Sequence, residues 1–131
     1  LGNDVVMTPN NYYYLDYYQT ADPKGNDEPM AIGGYVSLKK AYSFDPFDQL
    51  DEEQKSHIKG IQANMWTEYV ATFDHVEHMV LPRAAALAEV AWSCGNRTSY
   101  EDFVSRVETV LVPEYKARGY NYAEYAFEGI E

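Results

Sequence analysis

Two short apolar runs, one over residues 4–8 with Val5-Val6-Met7 at its centre and one over residues 58–66, each break off into a loop carrying aromatic and carboxylate side chains. A longer stretch with helical spacing, residues 72–92, follows the second. Short apolar runs bounded by turn residues suit buried strands. Strands alternating with helices suit a parallel sheet whose functional loops lie at the carboxyl ends of the strands. An α/β architecture follows from this order more tightly than from anything in the composition.

Pro9-Asn10-Asn11 ends the first strand and opens a loop holding Tyr12-Tyr13-Tyr14-Leu15-Asp16-Tyr17-Tyr18. Residues 20–34 are dense in breakers and charge and predict an exposed connection. Residues 36–42 suit a short helix, and residues 51–57 one or two helical turns with acids early and Lys55 and His57 late, as the helix dipole favours. In 72–92, Val76, Val80, Leu87 and Ala91, flanked by Met79 and Val90, recur at helical spacing; Thr72 or Asp74 can cap the start, and Pro82 predicts a kink or a division. Ser99 opens a last helix, with Pro113 predicting a bend and Gly119 the stop. Residues 120–131 predict a surface tail.

Composition narrows the partners. With 10 Lys+Arg against 21 Asp+Glu the formal net charge is -11, which lacks the basic footprint of a nucleic-acid or anionic-membrane binder. No apolar run approaches the ~20 residues of a membrane span, so the expectation is a soluble piece without membrane insertion. One cysteine excludes an internal disulfide. The 13 tyrosines serve sugar contacts, protein interfaces and half-buried packing alike.

The most pointed stretch is Gly60-Ile61-Gln62-Ala63-Asn64-Met65-Trp66-Thr67-Glu68-Tyr69. If the strand continues, Asn64, Trp66 and Glu68 share one face. An aromatic plate beside a carboxylate can grip both the apolar face and the hydroxyls of a sugar ring. Taken alone, Trp66 reads better as a core tryptophan. His75 and His78 lie one helical turn apart but match no metal-binding order, so no metal and no cofactor is expected and both read as surface histidines. Asp27-Glu28 and Asp51-Glu52-Glu53 read as solvated acids rather than as a general acid with a raised pKa. Serine-hydrolase, phosphate-loop and dinucleotide signatures are absent from the sequence.

Three motifs in order, Val5-Val6-Met7-Thr8-Pro9 with Tyr14-Leu15-Asp16, then residues 60–69, then Leu81-Pro82-Arg83-Ala84 through Ala88-Glu89 to Trp92-Ser93, resemble the carboxyl-terminal part of the catalytic barrel in glycoside hydrolase family 20, the β-N-acetylhexosaminidases. The resemblance implies part of a (β/α)8 TIM barrel, its last strands and helices: residues 1–98 as barrel strands, active-site loops and barrel helix, 99–119 as closing helix, 120–131 as tail. It implies removal of terminal β-linked N-acetyl-hexosamines by substrate-assisted retention, with N-acetyl-hexosamine-containing glycans as partners. On this resemblance Tyr14 is catalytic, holding the acetamido oxygen in line, and Asp16, Trp66 and Glu68 bind substrate. Arg83 and Glu89 are expected to be scaffold, a charged pair tying the last helix down, with Trp92 beside them.

The family's catalytic Asp-Glu pair belongs to an earlier strand, and neither acidic cluster in this sequence takes its place. With about two strands where a barrel has eight, the expectation is a fragment, inactive alone and self-associating through its open strand edges. A non-catalytic carbohydrate-binding module, or a structural domain whose tyrosines merely pack, is the alternative. Location is undetermined by the residues; family habit implies periplasmic, extracellular or lysosomal.

Overall fold

The structure, a computed structural model, describes residues 2–127. In chain order the elements are β1 (Val5–Met7), α1 (Asn10–Tyr13), β2 (Tyr17–Tyr18), β3 (Gly33–Tyr35), α2 (Leu38–Tyr42), α3 (Glu52–Ser56), β4 (Ile58–Ile61), α4 (Phe73–Val80), α5 (Arg83–Ser93), α6 (Tyr100–Arg106) and α7 (Val112–Arg118). β1 pairs in parallel with β4, Val6 opposite Gly60 and Met7 opposite Ile61. β2 pairs in parallel with β3, Tyr17 opposite Gly33 and Tyr18 opposite Tyr35. This second pair lies inside what the sequence presents as one long connection, because two- and three-residue strands are too short for a periodic pattern. Gly34 makes it possible: its φ is +68°, and a Cβ there would run into the Tyr17 ring.

Local chemistry sets most helix ends. Ser37 caps α2, Asp51 and Gln54 form a reciprocal capping box on α3, and the Thr72 and Ser99 hydroxyls accept from the amides of His75 and Asp102. Pro82 divides the 72–92 stretch into α4 and α5, as expected. Just before Pro113 the helix widens, passing through π-type turns at Val107–Leu111 ahead of α7. A proline that lacks an N–H and crowds the preceding turn is accommodated by such a bulge. Gly119, at φ 70°, closes α7 with the Tyr120 amide bonded to the Tyr115 carbonyl.

The core joins Tyr13, Val36, Leu38, Ala41, Tyr42 and Phe44 to Ala86 and Val90 of α5 and to Phe103 and Val107. Tyr42 and Phe103 stack at 4.4 Å. The buried stripe on α4 and α5 is Met79, Arg83, Ala86 and Val90, offset from the expected Val76, Val80, Leu87 and Ala91, because α5 packs on α2 as well as on β4.

Several further expectations are corrected. β1 is exposed rather than buried, with Val6 53% accessible, since only one strand pairs with it among the described residues. β4 ends at Ile61, short of Trp66. The tyrosine cluster is not all loop: Tyr12 and Tyr13 lie in α1, and the buried Tyr13 hydroxyl donates to the Ala41 carbonyl. Residues 120–127 dock instead of trailing: Ala123 is buried with its amide on the Leu81 carbonyl, and Asn121 bonds Glu77 and Asp74. Residues 128–131 of that expected tail lie outside the described residues. Arg83 and Glu89 do not pair with each other, as their hydrogen bonds below make plain.

Candidate active site

Backbone pairing brings the two aromatic-carboxylate loops together. Beyond the ends of β1 and β4, an isolated parallel bridge joins Tyr14 to Asn64, with the Leu15 amide on the Asn64 carbonyl at 2.8 Å and the Asn64 amide on the Tyr13 carbonyl at 2.9 Å. The Gln62 amide on the Met7 carbonyl fills the step between. The loops therefore leave the carboxyl ends of two adjacent parallel strands side by side, the position at which parallel α/β folds build sites.

Residues 66–68 lie past the last bridge, so strand alternation does not set their directions; packing against the first loop does. The Trp66 ring stands 6.2 Å from that of Tyr14, edge to face, and Tyr17 meets Tyr14 from another side at 5.8 Å. Trp66 is 49% exposed in this chain, not packed into its core. Glu68 is exposed and near enough to Asp16 for its charge to raise the Asp16 pKa. Thus Tyr14, Asp16, Trp66 and Glu68 converge.

Asp16 is the unusual member. It is 5% exposed, and its Oδ1 has no hydrogen-bond partner among the described residues. Burial pushes its pKa up, its own backbone amide opposes this, Glu68 adds to it and Arg83 opposes it. A buried carboxylate oxygen without a donor costs on the order of 1–3 kcal/mol. A ligand hydroxyl would offset that cost.

Three residues have burial or partners that the sequence reading missed, Arg83 among them although it was expected to be scaffold. Arg83 is fully buried and donates to the carbonyls of Leu15, Tyr17, Val36 and Met79; a cation on the apolar stripe of a helix is the signal that could have found it. Glu28, read as solvated, is half-buried and accepts from the Gln19 and Thr20 amides at 2.6 and 3.2 Å, with burial raising its pKa. His78, read as a surface histidine, bonds the Tyr125 hydroxyl at 2.8 Å, and burial lowers its pKa to about 4. His75 is likewise half-buried, its Nε2 unpartnered among the described residues.

The sequence model of glycosyl hydrolase family 20, catalytic domain, matches residues 1–94. A beta-hexosaminidase of Porphyromonas gingivalis is 36% identical over 124 residues, covering 93% of this chain and 15% of that protein. A beta-N-acetylhexosaminidase of Cellulomonas fimi is 32% identical, covering 81% and 21%. Among solved structures, the Streptomyces plicatus N-acetyl-beta-hexosaminidase superposes with a TM-score of 0.80 at 25% identity, over 92% of this chain and 23% of that one. A family 20 exo beta-N-acetylglucosaminidase from Vibrio harveyi, in complex with N-acetylglucosamine, gives 0.77 at 29%, over 91% and 18%. The chain thus spans less than a quarter of the length of these relatives. Its α/β elements are part of the TIM barrel these structures share.

Proposed function

The chain belongs to glycosyl hydrolase family 20, and from it we propose the carboxyl-terminal part of the catalytic barrel of an exo-acting β-N-acetylhexosaminidase. The substrate class is a glycan with a terminal non-reducing N-acetyl-hexosamine. The reaction is a substrate-assisted retaining hydrolysis: the acetamido oxygen attacks the anomeric carbon as the glycosidic bond breaks, taking the place of a protein nucleophile. Tyr14 donates its hydroxyl to the acetamido oxygen and keeps it in line, an effect of orientation. Trp66 walls the acetamido pocket or stacks on the ring. Asp16 and Glu68 accept from sugar hydroxyls.

The observation that carries this reading is the buried Oδ1 of Asp16, unpartnered among the described residues, in the loop whose Tyr14 packs against the exposed Trp66. One side chain lacks a polar donor and the other lacks an apolar cover, and a sugar supplies both. The acid that protonates the leaving oxygen is not among these four residues. The family's Asp-Glu pair stands on an earlier strand, so the chain by itself is silent in hydrolysis.

Release of chromophore from p-nitrophenyl N-acetyl-β-glucosaminide, measured for this chain and for the full-length enzyme containing it, tests the reading. Turnover by the full-length enzyme that falls sharply in Tyr14→Phe, with a silent chain, supports it. Cleavage by the chain alone would mean that one of the acid pairs read here as solvated supplies the proton, and would overturn this division of labour. A second reading, sugar binding without cleavage, also draws on the exposed Trp66. It is favoured if N-acetylglucosamine binds, Trp66→Ala abolishes binding, and the full-length protein has no turnover.

A further inference from the structure

We propose that Arg83 is a positioning residue for residues 14–16, a role that rests on the function proposed above. Its guanidinium reaches from the start of α5 into the loop after β1. There Nη2 donates to the Leu15 carbonyl at 2.6 Å and Nη1 to the Tyr17 carbonyl at 3.1 Å. Those carbonyls flank Asp16 on either side. Nη1 also donates to the Val36 carbonyl at 3.0 Å, and Nε and Nη2 to the Met79 carbonyl at 3.0 and 2.5 Å. One planar group therefore ties the β1 loop to the segment between β3 and α2 and to α4.

The choice of residue type is informative. A buried guanidinium whose hydrogen bonds, among the described residues, go to neutral carbonyls costs stability that an apolar side chain of similar volume would avoid. What it supplies instead is direction: several N–H groups in one plane, each aimed at a separate carbonyl. Lysine presents its donors from a single atom and cannot hold three segments at once. The Val36 amide also bonds the Tyr18 carbonyl at 2.8 Å, so the pinned loop is braced from both sides. Asp16, whose Oδ1 lacks a partner among the described residues, is not held by them through that atom. Its place is set through its backbone, and Arg83 grips that backbone on both sides. The same grip places Tyr14, one residue before Leu15, against Trp66.

The test compares Arg83→Lys and Arg83→Met in the full-length enzyme with hydrogen exchange of the same variants. Lysine keeps the charge and most of the volume, so it serves where the Met variant fails to fold. The expected result is a fall in kcat per folded molecule of at least tenfold in Arg83→Lys, with KM changed less than threefold, since a misplaced catalytic group costs more in the transition state than in binding. Exchange should quicken at the amides of residues 14–18 and 36 while α6 and α7 keep their protection. An unchanged kcat per folded molecule in Arg83→Lys, while Tyr14→Phe loses turnover, overturns the positioning role and leaves the proposed function standing. If neither Arg83→Lys nor Tyr14→Phe alters turnover, the role of Tyr14 falls and the positioning role falls with it. Faster exchange spread evenly over the whole chain, with kcat per folded molecule intact, marks Arg83 as a general packing residue and also overturns the proposal.

Discussion

The loop around Asp16 and the helical face around Glu89 treat a carboxylate in opposite ways. Glu89 accepts from Arg106 through both oxygens, at 2.6 and 2.7 Å, and from the Tyr42 hydroxyl at 3.2 Å. Those bonds, Arg106 foremost, hold its pKa below the ordinary carboxylate value. Asp16 is more deeply buried, yet one of its oxygens is unpartnered among the described residues and burial drives its pKa the other way. Arg83 and Arg106 repeat the contrast: the first is sealed inside on carbonyls, the second is half-exposed on carboxylates. A saturated polar cluster stabilises the helices. An unsaturated one keeps its hydrogen-bonding capacity for a ligand, at a cost in stability.

The contrast can be broken at several points. Phe103→Ala, in the core that Glu89 and Arg106 border, should destabilise by about 3–5 kcal/mol, read from urea midpoints; a loss under ~1 kcal/mol would mean that the helical face is not the structural half. Tyr14→Phe should leave the urea midpoint nearly unchanged and lower the full-length enzyme's turnover by on the order of a hundredfold, as removal of one well-placed donor does. Glu89→Gln should cost about 1 kcal/mol, since the pair is partly solvated. Asp16→Asn should cost less than ~0.5 kcal/mol or add stability, while weakening binding of N-acetylglucosamine in calorimetry. Were Asp16→Asn to unfold the chain more than Glu89→Gln does, the structural and ligand-binding halves would be reversed.

Acidity gives the most discriminating effect. Glu89 has a folded pKa below its unfolded value, so the stability it contributes is present above about 4.5 and lost as pH falls through the folded value. Asp16 has a raised folded pKa, so its contribution is favourable below about 3.8 and lost as pH rises toward the folded value. Glu89→Gln should therefore flatten the loss of stability on acidification, and Asp16→Asn should steepen it slightly. His78, at about 4 against an ordinary 6.5, adds a loss of stability as pH falls from 6.5 toward 4. That loss should vanish in His78→Gln when thermal midpoints are followed across the same range.

Much of the molecule is legible in its sequence, for identifiable reasons. Caps at Thr72 and Ser99, the stop at Gly119 and the division at Pro82 are set by interactions within a few residues, so a local reading reaches them. The four proposed site residues are legible only through motifs that resemble those of the family. The short β2 and β3 pair, the buried Glu28 and His78, and the docking of residues 120–127 are not, because each depends on partners far along the chain.

By itself the amino-acid sequence determined the α/β order, the helix ends, the acidic surface and the family, all of which follow from periodicity, backbone preference, composition and the order of motifs. Only the tertiary structure decided that Trp66 faces solvent beside Tyr14, that one oxygen of Asp16 is left without a donor, and that Arg83 pairs with carbonyls of the β1 loop rather than with Glu89. The physical reason is that burial and hydrogen-bond satisfaction belong to groups brought together across long separations. A separation of 68 positions between Leu15 and Arg83 leaves no local mark of the bond that joins them.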